Sequence, residues 1–259
     1  MAEEEKIEAH AKKALRILTN RKKKWRDKIK DFLWEILIII VGVSITLWFH
    51  NWNDKRHERE QVKEFLISIR ENLIQDTAKF NHYINSVKDG QIEYYDSVLY
   101  QINNNKFDIK YIDTNSHFLH YRWYFNFDCG LYQSFSASGN LRLVENQKLL
   151  SGITNLYFNL PIMEDKHSTS EDKRMDDYKK YIGSKISIDS SGNCKLSTII
   201  RQPDVRFYIQ WYDQYLHDIV KDIGNAIDYL VTVIHEIDKE LKDNFNYEAP
   251  SAPPKEGEK

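Results

Sequence analysis

Two stretches of the chain place apolar residues at alternating steps of four and three. The first stretch consists of Val62, Leu66, Ile69, Leu73, Asp76, Phe80, Tyr83 and Val87. The second consists of Leu216, Val220, Ile223, Ile227, Leu230, Ile234, Ile237 and Leu241. Residues at this spacing line one face of a helix and pack as knobs into holes of a facing helix. These two faces, called here the first and second seams, predict two long packed helices.

The first seam is expected to continue through Tyr95, Leu99 and Ile102, with Gly90 as a break. Pro203 suits the first turn of the helix that carries the second seam, because its missing N–H needs no partner there.

Between the seams the pattern predicts three more helices, over residues 131–138, 146–160 and 163–182. Gly139 closes the first, Pro161 ends the second, and Gly183 ends the third, which is polar. Residues 184–202, rich in Ser, predict a loop or a short hairpin. The predicted fold class is all-α: an N-terminal single transmembrane helix followed by an antiparallel four- or five-helix bundle.

The predicted transmembrane helix covers residues 32–49, an apolar run with a single charge, Glu35. Eighteen residues are near the minimum that crosses a hydrocarbon core of roughly 30 Å. Trp34 lies at one end, and Trp48 and Trp52 lie at the other, where headgroup-level aromatic residues are expected. A cleaved signal peptide is disfavoured, since no small residues follow the run.

The flanking charges predict the direction of insertion. Residues 19–33 contain seven Lys and Arg, and residues 50–64 contain four. The positive-inside rule therefore places the N-terminus in the cytoplasm and the large domain outside it, at the bacterial inner membrane.

Glu35 is the one ionisable residue in the run, and intramembrane charges are costly. It is expected either to reach the headgroups or to pair with Lys28, Lys30 or a neighbouring subunit. Gly42 and Ser44 form a small face, but no GxxxG motif accompanies them.

Residues 1–31 carry 11 Lys and Arg against 6 Asp and Glu, although the whole chain has a net charge of −2. They predict a basic amphipathic arm, which either lies on anionic headgroups through Arg21–Lys30 or only orients the protein. The soluble domain, residues 53–247, is acidic, which disfavours nucleic acid as a partner. The tail, residues 248–259, is proline-rich and charged and is predicted to be disordered.

One segment of the soluble domain, residues 117–132, is dense in aromatic side chains and is called here the aromatic segment. Its candidate interaction residues are His117, His120, Tyr121, Arg122, Trp123, Tyr124, Phe125 and Phe127. Such a segment lines a ligand pocket, forms an interaction patch, or caps the bundle as an aromatic plug. Asp76, a carboxylate in the first seam, sets the register, pairs with a buried cation or tilts to solvent, and solvent exposure is the favoured interpretation.

No catalytic motif is found in the sequence. His117 and His120 lie near Asp113 and Asp128, but this spacing is common by chance, so no metal or other cofactor is predicted. The acids Asp172, Asp176 and Asp177 are interpreted as solvated. Cys129 and Cys194 either form one disulfide or are unrelated thiols.

Several local motifs resemble those of a family of uncharacterised single-pass bacterial membrane proteins of unknown function. They are Glu35-Ile36, Gly42, Asn51-Trp52-Asn53, Glu64-Phe-Leu66, Glu71-Asn-Leu73 with Asp76, and Ser138-Gly-Asn-Leu141 with Leu143-Val144. The chain departs from the family at Trp34, where a small residue is usual. The resemblance covers about half of the chain and implies the architecture alone, because the family has no established activity.

These features favour a non-catalytic, membrane-anchored interaction, scaffold or sensor protein that binds a protein partner or a second copy of itself. Two alternatives remain open. One is a cytosol-facing effector that acts by oligomerisation through Glu35, and the other is an enzyme that uses the aromatic-histidine segment.

Overall fold

The structure is a computed structural model that describes residues 9–13, 15–16, 25–188, 190 and 195–250. Most of the basic run from Arg21, Cys194 and the tail beyond residue 250 lie outside these ranges. The predicted headgroup contacts of the arm, the disulfide and the disordered tail therefore stay predictions.

The described residues form helices and turns without a β-strand, so this part of the chain is all-helical. The longer helices are α1, Trp25–Ser86; α2, Glu93–Asn104; α3, Ile109–Thr114; α4, Gly130–Ala137; α5, Gln147–Tyr178; and α6, Pro203–Phe245. Residues 9–13 and 15–16 are also helical. The chain divides into two compact units, Met1–Gln61 and Val62–Lys259.

In the first unit the apolar part of α1 has its side chains exposed. The most apolar 18-residue window of this helix is only 6% buried, and the helix is long enough to cross a membrane. The core helix of a soluble protein would bury such a window. The structure thus contains one candidate membrane span among its described residues, near the N-terminus.

The second unit is built on the two predicted seams. All eight residues of the first seam are buried, and so are seven of the eight residues of the second, the exception being half-buried Val220. Helices α1 and α6 carry these seams because β-branched and leucine side chains at steps of three and four fill the space between packed helices. The core also takes in Leu149, Ile153 and Leu156 of α5.

The predicted break at Gly90 is a π-helical turn, Val87–Ile92, between α1 and α2. A Cβ atom on Gly90 would lie 3.0 Å from the ring of Phe118, so the absence of a side chain permits this close approach. Helix α2 then ends at Asn105, which has a left-handed backbone (φ 53°).

The prediction that Pro161 ends a helix is wrong. Helix α5 runs through Pro161 as one helix, followed by a π-helical turn over Lys179–Gly183. Proline removes one backbone hydrogen bond, but it costs only a few kcal/mol in a helix interior. Burial of one face on both sides of Pro161 is sufficient to hold the helix together.

The interpretation of Asp76 as solvent-exposed is also wrong. The residue is 3% exposed, and its Oδ1 accepts a hydrogen bond of 2.9 Å from Lys79 Nζ. A buried carboxylate needs a counter-charge, and Lys79 is three residues away on the same helix.

Both ends of α6 follow from local chemistry. Pro203 is in the first helical turn, as predicted. At the other end Asn246 has a left-handed backbone (φ 49°), and the N–H of Tyr247 donates to the carbonyl of Leu241 at 3.0 Å. The left-handed backbone of Asn246 turns the chain back at the helix end, so that its own N–H and that of Tyr247 both reach the carbonyl of Leu241.

Candidate functional site

One face of helix α5 is buried along its length. Its first part is apolar, and its later part consists of three polar side chains. His167, Glu171 and Arg174 follow Leu156 and Leu160 at steps of three, four and seven, so the buried face continues as a polar one. The prediction of a polar helix over residues 163–182 did not include these buried side chains, whereas Asp172 and Asp176, two of the three acids interpreted as solvated, are exposed. The spacing itself was the signal, because it extends the apolar pattern without interruption.

Arg174 and Glu171 form a buried ion pair. Arg174 is fully buried, and its Nη2 lies 3.0 Å from Glu171 Oε2. The guanidinium also lies 4.5 Å from the centre of the Tyr212 ring, in the geometry of a cation–π contact. Buried charges are stable only when they are paired and hydrogen-bonded, and both conditions hold here.

The same arginine holds the backbone of the aromatic segment. Its Nη1 donates to the carbonyl of Leu119 at 2.8 Å, and its Nη2 donates to the carbonyl of Tyr121 at 2.8 Å. Gln91 Nε2 donates to the carbonyls of Phe118 and Tyr121, both at 3.1 Å. Residues 121–128 lie outside any helix, and these buried donors satisfy backbone oxygens at the start of that stretch and just before it, which would otherwise lose water.

The aromatic segment has two faces. Trp123, Phe125 and Phe127 pack on the core, whereas the residues between them, Tyr124 and Asn126, are exposed. This alternation is the period of an extended chain. Among the other candidate residues, His117, His120 and Tyr121 are exposed and Arg122 is half-buried, with its guanidinium 3.2 Å from the Asp172 carboxylate.

A cleft of about 230 Å³ opens beside this segment. Its lining comes from α1 and from both faces of the aromatic segment: Asp76, Lys79, Phe80, His82, Tyr83, Trp123, Tyr124, Phe125 and Asn126. His82, Tyr124 and Asn126 are exposed. A second cleft of about 190 Å³ lies between α5 and α6 and includes Asp177 and Trp211.

His167 forms hydrogen bonds both to the cleft residue Trp123 and to Tyr215 of α6. Its Nε2 lies 3.0 Å from the carbonyl of Trp123, which only accepts, so Nε2 carries the hydrogen. Nδ1 then accepts from the Tyr215 hydroxyl at 3.1 Å. Burial lowers the pKa of His167, although the bond to Trp123 opposes that shift, and the imidazole is therefore neutral at pH 7.

We expect acid to destabilise the helical domain through His167. Because the pKa of His167 is lower in the folded protein than its ordinary 6.5, the unfolded chain binds the proton more strongly. The free energy of unfolding should fall as the pH drops below 6.5 and level off once the folded protein is also protonated. Urea unfolding at several pH values measures this, and His167→Gln should flatten the slope over that interval. An unchanged slope would contradict the assignment.

Three ligand-type side chains meet on the facing sides of α2 and α6. Oxygen and nitrogen atoms of Asp96, Asp213 and His217 lie within 4.8 Å of one another. Burial and the neighbouring Asp96 carboxylate raise the pKa of Asp213, and His217 opposes the shift. The charged form of Asp213 is therefore disfavoured in the folded state.

We expect Asp213→Asn to stabilise the domain at pH 7 by roughly 0.5 kcal/mol, the scale of exposed charge pairs. The raised pKa sets the sign, because the ionised carboxylate is penalised only in the folded protein. The gain should shrink as the pH falls through the pKa of Asp213. Thermal unfolding measures it, with Asp228→Asn, an exposed acid on the same helix, as the control. Destabilisation at pH 7 would refute the prediction.

The two histidines of the aromatic segment do not form a metal-binding cluster with other described side chains. Among the described residues, His117 and His120 are not part of any close group of three ligand atoms. Asp113 instead accepts from the N–H and the hydroxyl of Ser197, both at 2.8 Å.

In the first unit Glu35 pairs with a histidine and not with one of the predicted partners, Lys28, Lys30 or a neighbouring subunit. Its Oε1 lies 2.8 Å from His10 Nδ1, and the carboxylate is buried. The helical residues around His10 therefore fold back beside the start of the apolar run. Trp34, Trp48 and Trp52 are exposed, and Gly42 has open space where a Cβ would be.

Comparison of the chain with protein-family models, with curated proteins and with solved structures finds no match. The resemblance to a family of single-pass membrane proteins therefore stays a prediction, carried by the motifs around Glu35 and Trp52.

Proposed function

We propose that the protein is a non-catalytic, single-pass membrane protein whose helical domain binds a protein partner or a second copy outside the cytoplasm. The observation that carries this proposal is the apolar window of α1, which is 6% buried. Nearly all of this window is exposed, and each large apolar side chain gains about 1.5–3 kcal/mol on leaving water, so a bilayer stabilises this helix far more than water does.

The direction of insertion rests on the flanking charges. Seven Lys and Arg precede the apolar run within 15 residues and four follow it, which favours a cytoplasmic N-terminus in the bacterial inner membrane. The pairing of Glu35 with His10 disfavours the alternative of a cytosol-facing effector. That alternative requires Glu35 to pair with a neighbouring subunit, whereas its carboxylate already pairs with His10 of the same chain.

We propose that the helical domain is an antiparallel bundle. Along α1 and α2, earlier residues contact later residues of α6: Arg70 of α1 pairs with Asp238, and the ring of Tyr95 of α2 lies 5.1 Å from that of Tyr212. Helix α5 pairs with α6 in the same sense, since Tyr229 reaches the carbonyl of Gly152, and Tyr215 reaches His167. Such a bundle is a rigid platform for residues displayed on its side.

The interaction surface in this proposal is the outer face of the aromatic segment. Tyr121 and Tyr124 are both exposed, and buried donors fix the backbone that carries them. Rigid, exposed tyrosines bury large areas on binding at little conformational cost, which is why interfaces are enriched in them.

Site-specific photocrosslinking tests the interaction role. A photoreactive residue at position 124 should give one discrete adduct in intact cells. The control is position 100, where Tyr100 is similarly exposed but lies on α2, outside the aromatic segment. Absence of adducts at both Tyr121 and Tyr124, or equal adducts at position 100, would overturn the proposed surface.

A further inference from the structure

The cleft beside the aromatic segment is lined by one carboxylate and by several aromatic side chains. Asp76 contributes the negative charge, and its side chain is 5% exposed. Phe80, Tyr83, Trp123 and Phe125 contribute four aromatic rings. A carboxylate that has lost its water in this way requires a cation close by.

Lys79 supplies that cation at present, but it is weakly held. Its Nζ lies 2.9 Å from Asp76 Oδ1, while the lysine side chain is 55% exposed. A long, exposed side chain gains little from one ion pair, because ordering it costs conformational entropy. A ligand cation of the right shape can displace it and leave Lys79 in water.

The rings stand at nearly right angles to one another. Phe80 and Phe125 lie 5.4 Å apart at 88°, Tyr83 and Phe125 lie 5.4 Å apart at 86°, and Tyr83 and Trp123 lie 6.0 Å apart at 74°. These edge-to-face pairs hold the four rings in a fixed aromatic wall beside the cleft, and an electron-rich aromatic surface attracts quaternary ammonium groups.

The size of the cleft and the unpaired indole N–H of Trp123 narrow the class of ligand further. At about 230 Å³ the cleft is below the usual range for drug-sized ligands, roughly 300–1,000 Å³, and suits a group of few heavy atoms. The indole N–H of Trp123 is buried without a hydrogen-bond acceptor among the described residues. A ligand oxygen would satisfy it once the indole ring turns toward the cleft, since the nitrogen is buried as the ring now stands.

We propose that this cleft binds a small, free alkylammonium ion that carries an oxygen, with Asp76 as its counter-ion and the four rings as its cage. The assignment goes beyond the proposed membrane-anchored role and does not depend on it, since every residue involved belongs to the second compact unit.

Calorimetric titration of the full chain with choline tests the proposal, in a maltoside detergent that has no choline headgroup. The comparison ligand is the neutral alcohol in which a tert-butyl group replaces the trimethylammonium group. Choline should bind at least about tenfold more tightly than this alcohol, because only the cation gains from the rings and the carboxylate. Equal binding of the two, or no binding of choline, would overturn the proposal.

Two variants locate the site. Asp76→Asn should weaken choline binding about tenfold or more, and Lys79→Met, which removes the competing ammonium but keeps the alkyl stem, should tighten it. The gain in Lys79→Met tests the proposal even where Asp76→Asn fails to fold. The control is Asp177→Asn in the second cleft, which should leave binding unchanged. A loss in the control, or unchanged binding in both site variants, would contradict the assignment.

Discussion

Replacing Arg174 by methionine should destabilise the helical domain by about 3–5 kcal/mol, the cost of removing one partner from a buried ion pair. The variant leaves the Glu171 carboxylate buried without its cation, and it leaves the carbonyl of Leu119 without its donor, whereas the carbonyl of Tyr121 keeps the bond from Gln91. A domain of this size has only about 5–15 kcal/mol of net stability, so the loss should be visible as a large shift of the urea midpoint.

The chain contains a matched control for this substitution. Arg122 also pairs with an acid, Asp172, at 3.2 Å, but the aspartate is 67% exposed. Arg122→Met should therefore cost under about 1 kcal/mol. Adding Glu171→Gln to Arg174→Met should recover part of the loss, since it removes the unpaired charge. Equal losses of stability in Arg174→Met and Arg122→Met would contradict the stabilising role assigned to the buried contacts of Arg174.

The double variant Ile40→Arg, Val43→Arg should remove the protein from the membrane. Each arginine at the centre of a transmembrane helix costs about 2.5–3.5 kcal/mol of insertion free energy. Both side chains are exposed in the structure, so the substitutions disturb no packing among the described residues. The measurement is the share of protein that stays in the membrane pellet after an alkaline wash.

The control carries the same charges elsewhere on the chain. Tyr100→Arg and Ile109→Arg replace two exposed side chains of the helical domain, and this variant should remain in the membrane pellet. Retention of the Ile40→Arg, Val43→Arg variant in the washed membrane would mean that residues 32–49 are not the anchor.

Apolar periodicity predicts the backbone of this fold well. The steps of four and three from Val62 to Val87 and from Leu216 to Leu241 locate helices α1 and α6 and the side chains that they bury. This succeeds because spacing and burial are linked directly in packed helices. The glycine break at Gly90 and the helix start at Pro203 follow from local backbone chemistry in the same way.

The candidate site was harder to predict because hydropathy cannot separate a solvated charge from a paired one. His167, Glu171 and Arg174 look like surface residues by composition, yet they continue the buried face of α5 through Pro161. The partners of His167 and Arg174 are backbone carbonyls of Leu119, Tyr121 and Trp123, which lie some 40 to 55 positions away in the chain. A single sequence carries no signal for such long-range pairing, whereas the spacing of the three residues did carry one.

The most direct test of the central claim is the location of the helical domain, measured with paired reporter fusions after Lys259. Alkaline phosphatase is active only outside the cytoplasm, and green fluorescent protein exported in unfolded form does not fluoresce there. We expect an active phosphatase fusion and a fluorescent-protein fusion that does not fluoresce. A bright fluorescent fusion with an inactive phosphatase would place the domain in the cytoplasm and contradict the proposed role.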